Sequence, residues 1–174
     1  HFTNTVDFEI QQDNNAIEGD YVLYSTESSL MYSTSGLNQY PEPGFRFSMY
    51  LNDYVTDASA APGIYFGIQN SSSWYAVEIS ASGQELRFRK DGADSDISAM
   101  SVNDDEYYDI VIDWPTNGDM EATAYEVNQT NGDIISSMAT VTLSDTEYTN
   151  PSLGFQSRGG GYNGKYDYLR VEGL

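Results

Sequence analysis

Polar and apolar residues alternate along most of this 174-residue chain. In the run 107–114, Tyr108 and Ile110 fall on one side of the alternation and Asp109 falls on the other. Because successive side chains of a β-strand point to opposite faces of a sheet, a period of two predicts strands with one buried face. No long segment has the i, i+3, i+4, i+7 apolar spacing of an amphipathic helix. The alternation therefore predicts an all-β fold.

Short strands separated by turns are predicted over nearly the whole chain. The pair Asn131-Gly132 between two alternating runs is typical of a β-hairpin, and Ala61-Pro62-Gly63 is predicted to be another turn. No linker-like stretch or internal repeat interrupts the pattern. Residues 1–174 are therefore predicted to form a single domain, an antiparallel sandwich or barrel. The strands are expected at 7–10, 20–25, 44–51, 63–69, 74–80, 85–89, 107–114, 120–127, 134–143, 152–156 and 165–172.

The apolar side of each predicted strand defines the expected core. In the run 63–69 this side contains Ile68, and in the run 107–114 it ends at Trp114, which fits a core position better than a surface one. The other residues expected to face inward are Phe45, Phe47, Ile64, Phe66, Tyr75, Val77, Leu86, Phe88, Ile110, Ile112, Phe155 and Leu169.

Three segments resemble the concanavalin A-like lectin/glucanase superfamily, the laminin-G-like jelly roll. The runs 73–79 and 84–90 resemble its "WY-x-V-x-I … L-x-L-x-K" hairpin, and 106–114 with 120–122 resembles its "WY-x-I-x-I-x-W … I-x-A" segment. The end of the chain, from 153 to 171, resembles "IGF-x-S … YDNVRV". The resemblance implies a jelly-roll β-sandwich of two curved antiparallel sheets, in which the concave sheet often holds a glycan. Lectins, carbohydrate-binding modules, hydrolases, lyases and adhesion domains share this fold, so it does not define the function.

The charge of the chain is extreme. There are 27 Asp and Glu residues but only 7 Lys and Arg residues, which gives a net charge of −20. This balance argues against a duplex nucleic-acid binder, since phosphate contacts need a surplus of cations. An acidic surface with only two lysines, Lys90 and Lys165, is typical of halophilic proteins, because salt screens the repulsion. The alternative is an ordinary acidic secreted domain that uses Ca²⁺.

Several residue types are missing. Cysteine is absent and the single histidine is His1, which excludes disulfides, zinc–thiolate sites and a Ser-His-Asp triad. No stretch approaches the roughly 20 apolar residues of a membrane span, so no direct membrane insertion is expected. Because the chain begins with His rather than Met, we expect a processed product or a fragment of a larger protein, located outside the cell or exposed on a surface.

A glycosidase signature is also missing. The glucanase branch of the superfamily carries its carboxylates as Glu-x-Asp-x-x-Glu on one strand. Glu18-Gly19-Asp20 begins such a motif, but Leu23 occupies the place of the last glutamate. The sequence therefore predicts no catalytic residues and no enzyme.

Basic and aromatic residues fall on the non-core faces of several predicted strands. Aromatic rings stack on the C–H faces of sugars, while amide and guanidinium groups bind hydroxyls and carboxylates. If these strands share the concave sheet, the residues form a strip that binds an acidic or polar glycan. The alternative is cross-strand pairing with carboxylates, for example between Arg87 and Glu78. This predicted arginine strip consists of Tyr65, Gln69, Trp74, Glu78, Arg87, Arg89, Gln156 and Arg158.

Two further kinds of site are expected. Jelly rolls of this superfamily often bind calcium between the first and last strands, and Ca²⁺ prefers oxygen ligands. The candidates are Asp7, Glu9 and Asp167, and the alternative is that these carboxylates are simply solvated. Asn70 and Asn128 each begin an Asn-x-Ser/Thr sequence in a predicted turn, which makes them candidate glycosylation sites.

Together these features favour a non-catalytic, extracellular, lectin-like domain from a halophilic setting, whose partner is a glycan or a cell-surface polysaccharide. The first alternative is a structural or adhesion domain of a cell-surface, filament or virion protein, with protein partners in a larger assembly and no small ligand. A polysaccharide hydrolase or lyase is the third hypothesis.

Overall fold

The computed structural model describes residues 2–3, 7–26, 28–33, 41–53, 61–158 and 164–174; His1 lies outside these ranges. Within them the chain forms antiparallel strands and no α-helix. The strands are β1 (Phe8–Gln12), β2 (Tyr21–Ser25), β3 (Met31–Ser33), β4 (Phe45–Asp53), β5 (Ala61–Asn70), β6 (Ser73–Ser80), β7 (Glu85–Lys90), β8 (Ala93–Ala99), β9 (Tyr107–Trp114), β10 (Asp119–Val127), β11 (Ile134–Ser144), β12 (Leu153–Arg158) and β13 (Gly164–Gly173).

The strands form two sheets. The seven-stranded sheet has the order β1-β2-β13-β4-β9-β10-β11, and the six-stranded sheet has the order β3-β12-β5-β6-β7-β8. The last strand, β13, therefore lies between β2 and β4, so both ends of the chain contribute to one sheet. This arrangement confirms the predicted two-sheet antiparallel jelly roll.

The core lies between the sheets. Phe66 of the six-stranded sheet is at its centre, with its ring centroid 5.1 Å from that of Phe47 and 5.0 Å from that of Trp114, both in the seven-stranded sheet. Such edge-to-face contacts stabilise aromatic pairs beyond the area that they bury. Most residues expected to face inward are buried here, whereas Phe45 and Leu169 are only partly buried.

The structure corrects two predictions on β5. Ala61-Pro62-Gly63 begins this strand, where Pro62 pairs with Ser157, instead of forming a turn. Ile68 does not face the core. The register shifts after Phe66, and Gly67 adopts a φ of +61°, a conformation that glycine reaches without strain. The extra residue reverses the alternation, and Ile68 packs on the outer face of the six-stranded sheet.

Candidate functional site

The eight residues of the arginine strip all lie in the six-stranded sheet. They come from β5, β6, β7 and β12, which are neighbours in that sheet. Glu78 pairs in register with Arg87 on one side and with Gly63 on the other, and Gly63 in turn pairs with Gln156. The strands that carry the arginine strip therefore lie side by side in one sheet.

Glu78 is the centre of the strip and is fully buried. Arg158 donates to both of its oxygens, from Nε at 2.7 Å and from Nη2 at 2.5 Å, and the Tyr65 hydroxyl donates a third bond at 2.7 Å. Arg89 Nη1 lies 3.6 Å from the same carboxylate. A Cβ at Gly63 would lie 2.6 Å from Glu78 Cγ, so glycine at this position makes room for the buried side chain. The carboxylate is thus held by two arginines and a tyrosine.

The other strip residues are held within the protein too. Arg89 pairs with Asp94 at 2.9 Å, and Arg87 pairs with Glu85 on its own strand rather than with Glu78. Trp74 is buried, with its ring edge-to-face against Tyr65 at 4.6 Å. Gln69 accepts a bond from Asn150, and Gln156 donates to the Ser28 carbonyl. The strip is therefore largely an internal network of ion pairs and hydrogen bonds, in which Arg89 Nε is buried without a partner among the described residues.

An open groove of about 360 Å³ lies on the other sheet, across the outer faces of β13, β4, β9 and β10. Its lining mixes charged, hydroxyl and apolar side chains, which suits an amphipathic ligand. The lining residues are Arg46, Phe47, Ser48, Asp109, Val111, Asp113, Glu121, Thr123, Tyr125, Ile134, Arg170 and Glu172.

Arg170 occupies one part of the groove. Its Nη2 donates to Asp109 Oδ1 at 2.6 Å, and its guanidinium lies 5.0 Å from the ring centroid of Tyr50 and 5.7 Å from that of Tyr168. Its Nε is buried and has no hydrogen-bond partner within the described part of the chain. Burial raises the pKa of the Asp109 carboxyl, and the pairing with Arg170 offsets this only in part. Arg170 is thus oriented by two rings and one carboxylate.

Arg46 and Asp113 form the second ion pair of the groove. Arg46 Nε and Nη2 donate to the two oxygens of Asp113 at 2.5 and 2.7 Å. Asp113 pairs in register with Glu121 on β10, so two carboxylates lie side by side there. Unlike the Glu78 network, this pair is open to solvent, since the Arg46 side chain is 45% exposed.

Near Arg170 the outer face is covered by the β1–β2 loop, residues 13–20. Ile17 of this loop packs against Tyr50 and Tyr107. The loop is fastened by Asp167 Oδ2, which accepts bonds from the backbone amides of Ile17 and Glu18 at 2.8 and 2.9 Å. Tyr168 follows at a register shift in β13, with a φ of +47° and half of its surface exposed. A bulky residue in this backbone region is unusual and often marks a functional position.

The candidate calcium ligands are not gathered into one cluster. Asp167 is buried and binds the β1–β2 loop, while Glu9 is exposed and accepts a bond from Gln11. In the described ranges no group of three or more His, Cys, Asp or Glu side chains is placed to hold a metal ion. The calcium site stays a prediction. Asn70 and Asn128 are both exposed, at the ends of β5 and β10.

No protein-family model matches this sequence, and no curated protein matches it significantly. Among solved structures, the carbohydrate-binding module CBM66 from Bacillus subtilis is similar with a TM-score of 0.62 and 9% identity, over 98% of this chain and 94% of that one. This chain has the concanavalin A-like jelly-roll fold. The fold predicted by the resemblance is confirmed.

Two further structures share this jelly roll. A Bacillus subtilis protein of unknown function with a galectin-like fold has a TM-score of 0.58 at 9% identity, over 99% of this chain and 88% of that one. A GH43 glycoside hydrolase with an engineered active site also has a TM-score of 0.58, at 13% identity, over all of this chain and 38% of that one.

Within the described residues, no helix has the length and apolar character that a membrane crossing requires.

Proposed function

We propose that this jelly roll is a non-catalytic, lectin-like domain that binds carbohydrate in the groove of the seven-stranded sheet. One observation carries the proposal: Arg170 lines an open groove, and its guanidinium lies 5.0 Å from the ring centroid of Tyr50 and 5.7 Å from that of the exposed Tyr168. Sugars are bound by rings that stack on their C–H faces and by planar groups that hydrogen-bond their hydroxyls. Exposed Tyr168 and oriented Arg170 offer both.

The fold supports the proposal. CBM66 is named as a carbohydrate-binding module, and the similarity covers nearly the whole of both chains. The same fold also forms 38% of the chain of a GH43 glycoside hydrolase, and a fold alone does not define a function, so the choice between binding and catalysis depends on the site. Glycoside hydrolysis usually needs one carboxyl that donates a proton and a second that attacks or activates water. Of the four carboxylates that line the groove, Asp109 and Asp113 are each bound to an arginine, which favours binding over catalysis by these two.

The groove is favoured over the arginine strip for a physical reason. Glu78, Tyr65 and Trp74 of the strip are buried, and Arg158 and Arg89 are already bound to carboxylates. A ligand there would have to break buried ion pairs, which leaves charges without partners. In the groove a ligand meets the exposed side chains of Arg46, Glu121 and Ile134.

The proposal can be tested with a glycan array followed by affinity electrophoresis against the glycans that bind. Tyr168→Ala removes the exposed ring, and we expect about a tenfold loss of affinity, the usual effect of one aromatic contact. Tyr21→Ala is the matched control, because Tyr21 is similarly exposed but lies on β2, whereas the Tyr168 ring lies 5.7 Å from the guanidinium of Arg170, which lines the groove. Arg170→Lys keeps the positive charge but removes the planar fork, so it should weaken binding as well.

Three other results would contradict the proposed site or the proposed function. If Arg87→Ala weakens binding and Tyr168→Ala does not, the site is the arginine strip. If the array shows no bound glycan, the proposed function is wrong. If a bound polysaccharide is cleaved, the protein is a hydrolase or a lyase.

A structural or adhesion role is the second candidate, and exposed apolar side chains favour it. Ile10 on β1 and Ile134 and Ile135 on β11 are each more than half exposed, and both strands form edges of the seven-stranded sheet. Edge strands with apolar side chains readily pair with another chain. Light scattering that shows a stable oligomer, together with an empty glycan array, would support this role.

We also propose an extracellular, halophilic setting, on the basis of the net charge of −20. The folded chain concentrates that charge, so screening by salt should stabilise it. We expect the melting temperature to rise steeply between 0.1 and 2 M NaCl. An unchanged melting temperature would contradict the halophilic setting. A large rise with millimolar Ca²⁺ would instead support the calcium site at Asp7, Glu9 and Asp167.

A further inference from the structure

Every lysine and arginine of this chain is bound to a carboxylate. The seven basic residues are all described, and each forms at least one ion pair within 4 Å. Even Lys90, on the outer part of the six-stranded sheet, is bound to both Asp145 and Glu147. The side chains therefore present no basic group without a carboxylate partner to an incoming anion.

The groove itself has a surplus of negative charge. Its two cations, Arg46 and Arg170, are neutralised by Asp113 and Asp109. Glu121 and Glu172 also line it and are exposed, and among the described residues neither forms an ion pair with a cation. Glu172 pairs in register with Arg46, but Arg46 is already bound to Asp113. An anionic ligand in the groove would therefore meet two more carboxylates than arginines, and like charges at short range repel.

It is also unfavourable for a ligand anion to replace Asp109 as the partner of Arg170. A ligand carboxylate or sulfate could replace Asp109 as the ion-pair partner of Arg170 only by displacing a side chain that is 2% exposed. The displaced aspartate would then be a buried charge without a partner, which is strongly destabilising. A hydroxyl group behaves differently. It can donate a hydrogen bond to Glu121 or Asp113 and accept one from an arginine, and no ion pair has to break.

From this charge balance we propose that the groove selects a neutral, hydroxyl-rich glycan and rejects uronic acids and sulfated sugars. The inference rests on the proposed function and narrows the ligand to one class. It also assigns the glutamates at 121 and 172 as the residues that exclude anions. The arginines of the groove then act through hydrogen bonds and orientation instead of through net charge.

The test uses pairs of polysaccharides, one neutral and one in which some hydroxyls carry a negatively charged carboxymethyl group. Soluble neutral glucan, xylan, arabinan, galactan, mannan and fructan are each compared with their own carboxymethylated derivative, by affinity electrophoresis at 20 mM and 500 mM NaCl. At low salt we expect the neutral polymer that binds to lose about tenfold in affinity when it is carboxymethylated. At high salt the difference in affinity between the two polymers should decrease, because exposed charges are screened.

The double variant Glu121→Gln/Glu172→Gln should decrease this difference in affinity already at low salt, by strengthening binding of the carboxymethylated polymer. The control Asp20→Asn/Asp104→Asn removes the same charge from exposed residues outside the groove, so it should leave the difference in affinity unchanged. The inference is wrong if the carboxymethylated polymer binds more tightly than the neutral one. It is also wrong if the glutamine variant leaves the difference in affinity unchanged. Neither result overturns the proposed function. If no polymer of either kind binds, both are overturned.

Discussion

The two outer faces of this sandwich use the same chemistry in different surroundings. On the six-stranded sheet, Arg158 binds Glu78 with two hydrogen bonds, and the Glu78 side chain has no exposed surface. On the seven-stranded sheet, Arg46 binds Asp113 with two hydrogen bonds of similar length, but 45% and 28% of these side chains are exposed. Hydrogen-bond geometry alone does not distinguish the two pairs.

Burial gives the two pairs different roles. A buried ion pair has lost its hydration, so each partner depends on the other, and removal of one leaves an uncompensated charge. An exposed pair exchanges easily with water, contributes little to stability and remains accessible to a ligand. We therefore interpret the Glu78 network as a structural element and the groove as the binding surface.

The largest effect is expected at Glu78. Glu78→Gln keeps the shape of the side chain but removes the charge that Arg158 and Arg89 face, so the free energy of unfolding should fall by about 3–5 kcal/mol. Urea unfolding followed by tryptophan fluorescence measures it. The double variant Glu78→Gln/Arg158→Met removes both charges and should recover much of the loss. A loss below about 1 kcal/mol would mean that the network is as exposed as the groove.

Asp53 tests the same comparison, because it is buried and has no cationic partner among the residues that the structure describes. Its Oδ2 accepts a bond from the Ala81 amide at 2.8 Å, whereas its Oδ1 has no partner, and all seven basic residues pair with other carboxylates. Burial raises the pKa of Asp53 to about 7. The group is neutral in both states below about pH 4, the ordinary value for Asp. Stability is therefore lost as the pH rises from there through about 7.

Asp53→Asn should remove this loss. At pH 8 the variant is expected to be more stable than the parent by on the order of 2–4 kcal/mol, and at pH 4 the difference should shrink below about 1 kcal/mol. Unfolding in urea at both pH values measures the difference. Asp109 and Asp167 also have raised pKa values, but they are present in both proteins, so the comparison isolates Asp53. An equal effect at both pH values would show that Asp53 is not an unpaired buried acid.

Strand pairing was largely predictable, but its irregular parts were not. The run 107–114 was predicted with its correct bounds because Tyr108, Ile110 and Ile112 alternate without interruption. Strand β8, Ala93–Ala99, was missed because its sequence is mostly small or acidic and its one isoleucine is half exposed, so it has no apolar face to detect. Ile68 was misplaced because one extra residue in a strand reverses the alternation.

The candidate site was predictable only in part. Alternation shows that Arg46 faces away from the core, but it cannot show which strands lie beside it. The groove brings together Arg46, Asp113, Glu121 and Arg170, which are far apart in the sequence and become neighbours through the register of β13, β4, β9 and β10. Burial of the arginine strip was not predictable either, since it depends on packing over the sheet.

The smallest effect is expected at the exposed pair. Asp113→Asn should lower the free energy of unfolding by less than about 1 kcal/mol, because Arg46 stays hydrated when its partner loses its charge. The effect should decrease further in 0.5 M NaCl, since salt screens exposed charges. Urea unfolding at low and high salt, beside Glu78→Gln under the same conditions, measures both. If Asp113→Asn lowers the free energy of unfolding as much as Glu78→Gln does, the ion pairs of the groove stabilise the fold as the Glu78 network does. A ligand in the groove would then have to break structural contacts.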